Sequence, residues 1–226
     1  MIKIGIVGLG RIGKLHLFNI QHHIPGACVV AACSRTEKSL EYAKKHGVKR
    51  LFTSFKTMLS QGGIDAVIIA TPTERHHQDV MATLRYKVTV LVEKPITATL
   101  TEARDITQFA AQQNCHVLVG HQRRYYPCAA EARKIIQSGQ IGTLIGVTGQ
   151  WTTKKDDDYY APEWRRDVKA GPILTNLIHE FDLLRYICGD ITSVSAELTR
   201  HEQNFAKEDA AAISLKFANQ AVGTFF

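Results

Sequence analysis

From its second residue the chain alternates short, continuously apolar runs with longer segments whose apolar residues recur every three or four positions. Residues 2 to 7 (IKIGIV) form the first apolar run, and residues 11 to 23 follow with helical periodicity. The same unit returns three times, before a last apolar run. CVVAACS (28 to 34) precedes TEKSLEYAKKHG, IDAVIIAT (64 to 71) precedes TERHHQDVMATLRY, VTVLVE (88 to 93) precedes TATLTEARDITQFAAQQN, and CHVLVG (115 to 120) closes the series. Continuously apolar strands alternating with amphipathic helices predict a parallel sheet covered on both faces, an α/β arrangement of the Rossmann type over residues 1 to 122.

After that point the pattern changes. A helix is expected over about 127 to 138, then a long strand in LIGVTGQWTT and a polar loop, TKKDDDYYAPEWRRDVKAGP. A helix over about 172 to 188 follows, and then strands in ITSVSAELTR, AAAISLKFA and AVGTFF, the last two joined at Asn219-Gln220. Residues 123 to 226 therefore read as a second, α+β domain on an open, mainly antiparallel sheet. The chain stops at Phe225-Phe226 within an apolar strand, and this domain is expected to be truncated at its C-terminus.

Composition narrows the classes. With 226 residues, 45% of them hydrophobic, the chain can bury a core, and no run reaches the roughly 20 apolar residues of a membrane-spanning helix. A cytoplasmic protein is the expectation, with no membrane partner. The five cysteines make no C-x-x-C pair or zinc spacing, so they read as reduced thiols and no metal site is expected. The formal charge of +7 comes from scattered basic residues, and Lys154-Lys155 is followed at once by Asp156-Asp157-Asp158. No basic stripe for nucleic acid emerges, whereas a basic balance suits anionic phosphates.

The candidate chemistry begins at Gly8-Leu9-Gly10-Arg11-Ile12-Gly13, where the first strand hands over to a helix. There the glycines allow a tight turn, a close approach to a pyrophosphate, and packing of helix on strand, while the helix N-terminus offers N–H groups to the phosphates. A bare structural turn is the alternative; the strand-turn-helix setting favours a dinucleotide. At the end of the second strand Ser34 and Arg35 stand where an acidic residue would favour NAD. A hydroxyl and a guanidinium suit a 2′-phosphate, so the cofactor is read as NADP or NAD with a lean to NADP, against a solvated Arg35 as the alternative. Glu93, Lys94 and Pro95 end another strand, which directs Lys94 toward the ligand crevice at the carboxyl edge of such a sheet.

GIVGLGRIG, ATPTERHH, VLVEKPIT, VGHQRRYYP and AGPILTNLIHEFDLLRYICG occur in the order and spacing of the glucose-fructose oxidoreductase / inositol dehydrogenase (Gfo/Idh/MocA) family, which the whole chain resembles. The resemblance implies a Rossmann domain followed by an α+β domain whose sheet bears the substrate face and usually a subunit interface, hence a homo-oligomer at full length. Members of that family run on beyond this endpoint. Carried over by position, the lysine of E-K-P is Lys94 and the helix histidine is His179. Where many members have an aspartate four residues before that histidine, this chain has Thr175, with Asn176 beside it. Thr71, Pro72 and His76 match the loop beside the cofactor. Arg123, Arg124 and Tyr125 match a stretch at the domain junction, with substrate contact or packing as its two readings, and Asp182 joins the site or holds the histidine.

The resemblance implies an NAD(P)-dependent oxidoreductase that transfers a hydride between nicotinamide and a hydroxyl or carbonyl carbon of a sugar, polyol or related small molecule. In that reading His179 moves the proton, Lys94 hydrogen-bonds the reacting oxygen, and Asn176 helps to orient the hydroxyl. Arg124, Tyr125, Thr175 and Asp182 are the substrate candidates. The alternative is a non-catalytic dinucleotide-binding regulator or a degenerate truncated homologue.

Overall fold

The computed structural model describes residues 1–161, 163–167, 171–200 and 207–226 and divides into two units, Met1–Gly120 and His121–Phe226. Among the described residues no helix is long and apolar enough to cross a membrane.

The first unit runs β1 (Ile2–Val7), α1 (Arg11–His23), β2 (Ala27–Cys33), α2 (Glu37–Lys45), β3 (Arg50–Phe52), α3 (Phe55–Ser60), β4 (Ala66–Ile69), α4 (Thr73–Arg85), β5 (Thr89–Val92), α5 (Leu100–Gln113) and β6 (Val117–Val119). All neighbouring strands pair in parallel, in the order β3-β2-β1-β4-β5-β6. The order reverses between β1 and β4, so their carboxyl ends open a crevice, the place where such sheets bind ligands. Alternate residues serve the two faces. Val7, Val67 and Ile69 belong to one buried cluster, and Ile6, Ile68 and Leu17 to another on the opposite face. This covering of both faces explains the continuously apolar strands.

The second unit opens with a 3₁₀ turn (Gln122–Tyr125) and α6 (Pro127–Gln137), then β7 (Gly146–Gly149). Two further 3₁₀ turns (Asp157–Tyr160 and Glu163–Arg166) fall in the polar loop, before a π-helical turn (Ile173–Leu177) that runs into α7 (Ile178–Cys188). β8 (Ile191–Thr199), β9 (Ala210–Phe217) and β10 (Val222–Phe225) complete a sheet ordered β7-β10-β9-β8. β10 pairs β9 antiparallel and β7 parallel, and β8 pairs β9 antiparallel. Ile213, Leu215 and Phe217 alternate inward along β9 to meet Leu177, Cys188 and Phe225. Gln220 adopts φ 70° in the β9–β10 hairpin, as a tight turn requires.

Four elements differ from expectation. The strand read over LIGVTGQWTT is only four residues long, because its partner β10 is itself four residues long. β3 and α3 had no clear signature, RLF being too short for a periodic pattern. The helix over 172 to 188 begins as a π turn, so the regular spacing assumed for Asn176 and His179 does not hold there. Part of the polar loop, including the alanine that opens AGPILTN, lies outside the described residues.

Candidate functional site

In the first unit the crevice is built by the turns that leave β1, β4 and β5. Gly8 takes φ +87°, and a Cβ there would fall 2.5 Å from the Ala70 carbonyl. Only glycine meets both demands at once. A Cβ on Gly13 would collide with the Gly8 carbonyl oxygen, so that glycine brings α1 against the turn. Gly10 is different: nothing lies within 4 Å of the position its Cβ would take. Gly10 also precedes α1, which has no side-chain cap and no acid in its first turn. The leading N–H groups of α1 thus keep their hydrogen-bonding capacity and positive field at an open edge, which fits a dinucleotide pyrophosphate. Arg11 is exposed and Ile12 half-buried at the same helix start.

Ser34 follows β2, its backbone N–H donating to the Phe52 carbonyl, and its hydroxyl accepts from the Thr36 N–H at 3.4 Å. Arg35 is exposed beside it. Ser39 returns a bond from α2 to the Leu9 carbonyl at 3.3 Å, tying the β2 turn to the glycine turn.

Beyond β4, the Thr71 hydroxyl donates to Asp79 at 2.8 Å, and Arg75 donates to the other oxygen of the same carboxylate at 3.0 Å. Asp79 is 2% exposed, so this pair of donors offsets its desolvation. Pro72 precedes α4 directly. His76 is also buried, with Nδ1 2.8 Å from the Pro95 carbonyl and Nε2 2.8 Å from the Thr71 carbonyl. Its ring therefore lies between the turns after β4 and β5, each nitrogen facing a backbone carbonyl and the ring N–H donating to one of them.

The E-K-P turn contains a cis Lys94-Pro95 peptide bond. Glu93 meets His16 of α1, Oε1 to Nε2 at 2.7 Å, and accepts from the Lys94 N–H at 3.3 Å. Burial pushes the Glu93 carboxyl up, but the His16 hydrogen bond and charge, with the Lys94 N–H and charge, outweigh it and hold the group below its ordinary value. Lys94 is half-buried. His16 was not singled out in the sequence; its place three residues after Gly13, on the helix face that meets the turn, is the one signal that could have found it.

In the second unit His179 is 8% exposed on α7, its ring 6.1 Å from that of His121 and edge-on to it. Asp182 and Arg124 engage one another through two hydrogen bonds of 2.7 and 2.6 Å, and His121 Nδ1 lies 3.9 Å from the same carboxylate. Arg123 pairs with Glu180. These pairs brace the 3₁₀ turn against α7 and leave Tyr125 82% exposed. Thr175 donates to the Gly171 carbonyl at 2.8 Å and accepts from Asn176 at 3.2 Å. Both residues line a cavity of about 480 Å³, a volume that suits a small molecule. Three lysines, Lys154, Lys155 and Lys207, also line this cavity; the sequence offers none of them as a ligand, because Lys154 and Lys155 stand beside three aspartates and Lys207 stands beside Glu208 and Asp209.

Comparisons with known proteins agree with this architecture. Residues 2–121 match the model of an oxidoreductase family with an NAD-binding Rossmann fold, and residues 129–226 match the Gfo/Idh/MocA C-terminal domain. The scyllo-inositol 2-dehydrogenase (NAD(+)) of Bacillus subtilis is 32% identical over 86% of this chain, which spans 56% of that relative. The WlbA dehydrogenase of Bordetella pertussis, solved with NADH and UDP-GlcNAcA, superposes with a TM-score of 0.92 at 27% identity, over 99% of this chain and 69% of that one. The scyllo-inositol dehydrogenase of Lactobacillus casei, solved with NAD(H) and scyllo-inositol, gives 0.83 at 29% identity, over 100% of this chain and 68% of that one. With a switch-point glycine turn in one unit, a helix-covered mixed sheet in the other, and both halves matched in order, the chain belongs to the Gfo/Idh/MocA oxidoreductase family.

Proposed function

We propose that this protein is an NAD(P)-dependent oxidoreductase acting on a CH–OH or carbonyl carbon of a sugar, polyol or related small molecule, with NADP preferred. The observation that carries the reading is the open side of Gly10 at the start of an uncapped, acid-free α1, at the point where the sheet order reverses. When bound, the nicotinamide supplies the hydride donor or acceptor.

The chain's own residues do the rest. Gly8, Gly10, Arg11, Ile12 and Gly13 receive the pyrophosphate, and Ser34 with Arg35 holds a 2′-phosphate. Thr71, Pro72 and Glu93 shape the nicotinamide end, His76 acting through the turn it bridges. The Lys94 ammonium hydrogen-bonds the reacting oxygen and stabilises its negative charge, and His179 takes up or returns the proton. Thr175 and Asn176 orient hydroxyls in the cavity, while Arg124 and Asp182 position α7 and the exposed Tyr125 is offered to the substrate. The relatives named above, with NADH or NAD(H) and polyol or sugar-nucleotide ligands, support the general class.

Fluorescence titration of the 226-residue chain with NADPH and NADH side by side tests this. Saturable binding with NADPH favoured is expected. A preference for NADH would remove the NADP clause alone, and absence of binding by either would overturn the reading.

A further inference from the structure

The cavity of the second unit brings together charges that appear cancelled along the chain. Lys154 and Lys155 line it, whereas Asp156, Asp157 and Asp158, which follow them directly, are exposed and do not. Folding has separated the two signs. Lys155 is half-buried, its Nζ 5.3 Å from the Tyr159 ring centroid and 6.0 Å from that of Trp151, and no described carboxylate lies within ion-pair distance of it. Aromatic faces attract a cation without neutralising it, so its charge remains available to the cavity.

A second ammonium lies on the same wall. Lys207 is 4% exposed, its Nζ donating to the Arg165 carbonyl at 2.6 Å and standing 4.6 Å from the Tyr160 ring centroid. Two carboxylates, Glu208 and Asp209, also line the cavity, against three lysines. Glu208 accepts the Ile173 N–H at 2.9 Å where the π turn begins, and its charge and that of Asp209 act on Lys207, which leaves Lys155 as the half-buried ammonium with no described carboxylate within ion-pair distance. The wall thus combines ammonium groups and aromatic faces with the Thr175 hydroxyl and the Asn176 amide. Hydroxyl and amide groups recognise a polyol, but a neutral polyol leaves the half-buried Lys155 ammonium without an anionic partner.

We infer that the cavity selects a sugar or polyol bearing an anionic group, which Lys155 meets directly. This rests on the proposed oxidoreductase reading and narrows its substrate class. The anion is a carboxylate or a phosphate, two sources of the same chemistry.

The test is binding of D-glucose, D-glucuronate and D-glucose 6-phosphate to the full chain, followed by ligand-observed NMR without cofactor or turnover. At least one anionic sugar is expected to bind roughly tenfold more tightly than glucose, the advantage shrinking as salt is raised. Which anion wins identifies the source. Lys155→Met is expected to abolish the advantage and Lys155→Arg to retain it, with circular dichroism of both variants showing that each is folded. Equal binding of all three sugars, no detectable binding of either anion, or an advantage that survives in Lys155→Met overturns the inference. NADPH and NADH titrations of the parent chain report separately on the oxidoreductase reading, so dinucleotide binding without an anionic preference sinks this inference alone.

Discussion

His16 Nε2 stands 2.7 Å from Glu93 Oε1, joining α1 to the E-K-P turn across 77 positions of the chain. Both side chains are mostly buried, at 28% and 18% exposure, so the bond is screened less than a surface ion pair. It connects the helix that begins at the glycine turn to the strand end bearing Lys94. Any displacement of α1 is therefore felt at that lysine.

His16→Ala should lower stability by about 1–2 kcal/mol at neutral pH, the usual scale for a half-buried, charge-assisted hydrogen bond. The pH dependence has a definite sign. Glu93 is held below its ordinary value of 4.5 in the folded state, so its contribution is complete above that value and is lost as the pH falls through the lower, folded one. Urea denaturation of parent and variant should show a gap near pH 7 that narrows as the pH falls below 4.5. A gap that is constant with pH would mean that His16 acts by packing alone.

Gly10 and Gly13 should separate binding from folding. A methyl group at residue 13 meets the backbone oxygen of Gly8, which cannot yield without opening the turn. Gly13→Ala is expected to cost about 1–3 kcal/mol. At residue 10 the methyl enters open space, so Gly10→Ala should cost less than about 1 kcal/mol yet weaken NADPH binding roughly tenfold or more by occupying the approach to the pyrophosphate. Thermal melts and dinucleotide titrations of the two variants check this; equal loss of affinity and stability in both would refute the division of labour.

What was legible in the sequence follows from which interactions are local. The glycine turn and the five apolar strands depend on residues close together in the chain, and they are legible there. The π turn at Ile173–Leu177 is not, because apolar spacing cannot tell an i→i+5 turn from an i→i+4 one over five residues. His16 with Glu93, and His76 with Pro95, are pairs made by the fold across 77 and 19 positions. The place of Lys155 is hidden in the sequence for the opposite reason: three aspartates follow it directly, and the fold leaves them exposed outside the cavity that it lines.

His76 reaches two backbone carbonyls from a fully buried ring. His76→Ala removes the ring N–H that donates to one of the two carbonyls and the ring contact with the other, and opens a cavity beside α4. The expected loss is about 3 kcal/mol. Because Pro95 follows Lys94, the variant should also alter the E-K-P turn, which hydrogen exchange at the Lys94 and Ile96 amides would register. A stability change below about 1 kcal/mol would show that the bonded carbonyl finds another donor, and the ring contact would then be dispensable.

Arg35 offers the sharpest test of cofactor choice because the fold does not need it. It is exposed beyond β2, and its replacement should change stability by no more than about 0.5 kcal/mol. If it pairs with a 2′-phosphate, Arg35→Asp replaces an attractive charge with a repulsive one at that group while offering a carboxylate to a 2′-hydroxyl. NADPH affinity should then fall by roughly 10- to 100-fold, and NADH affinity should hold or improve. The ratio of the two dissociation constants is the quantity to follow, since it cancels any general damage to the site. A ratio that does not move would assign Arg35 to the solvated surface and leave the choice of dinucleotide to other residues around Ser34.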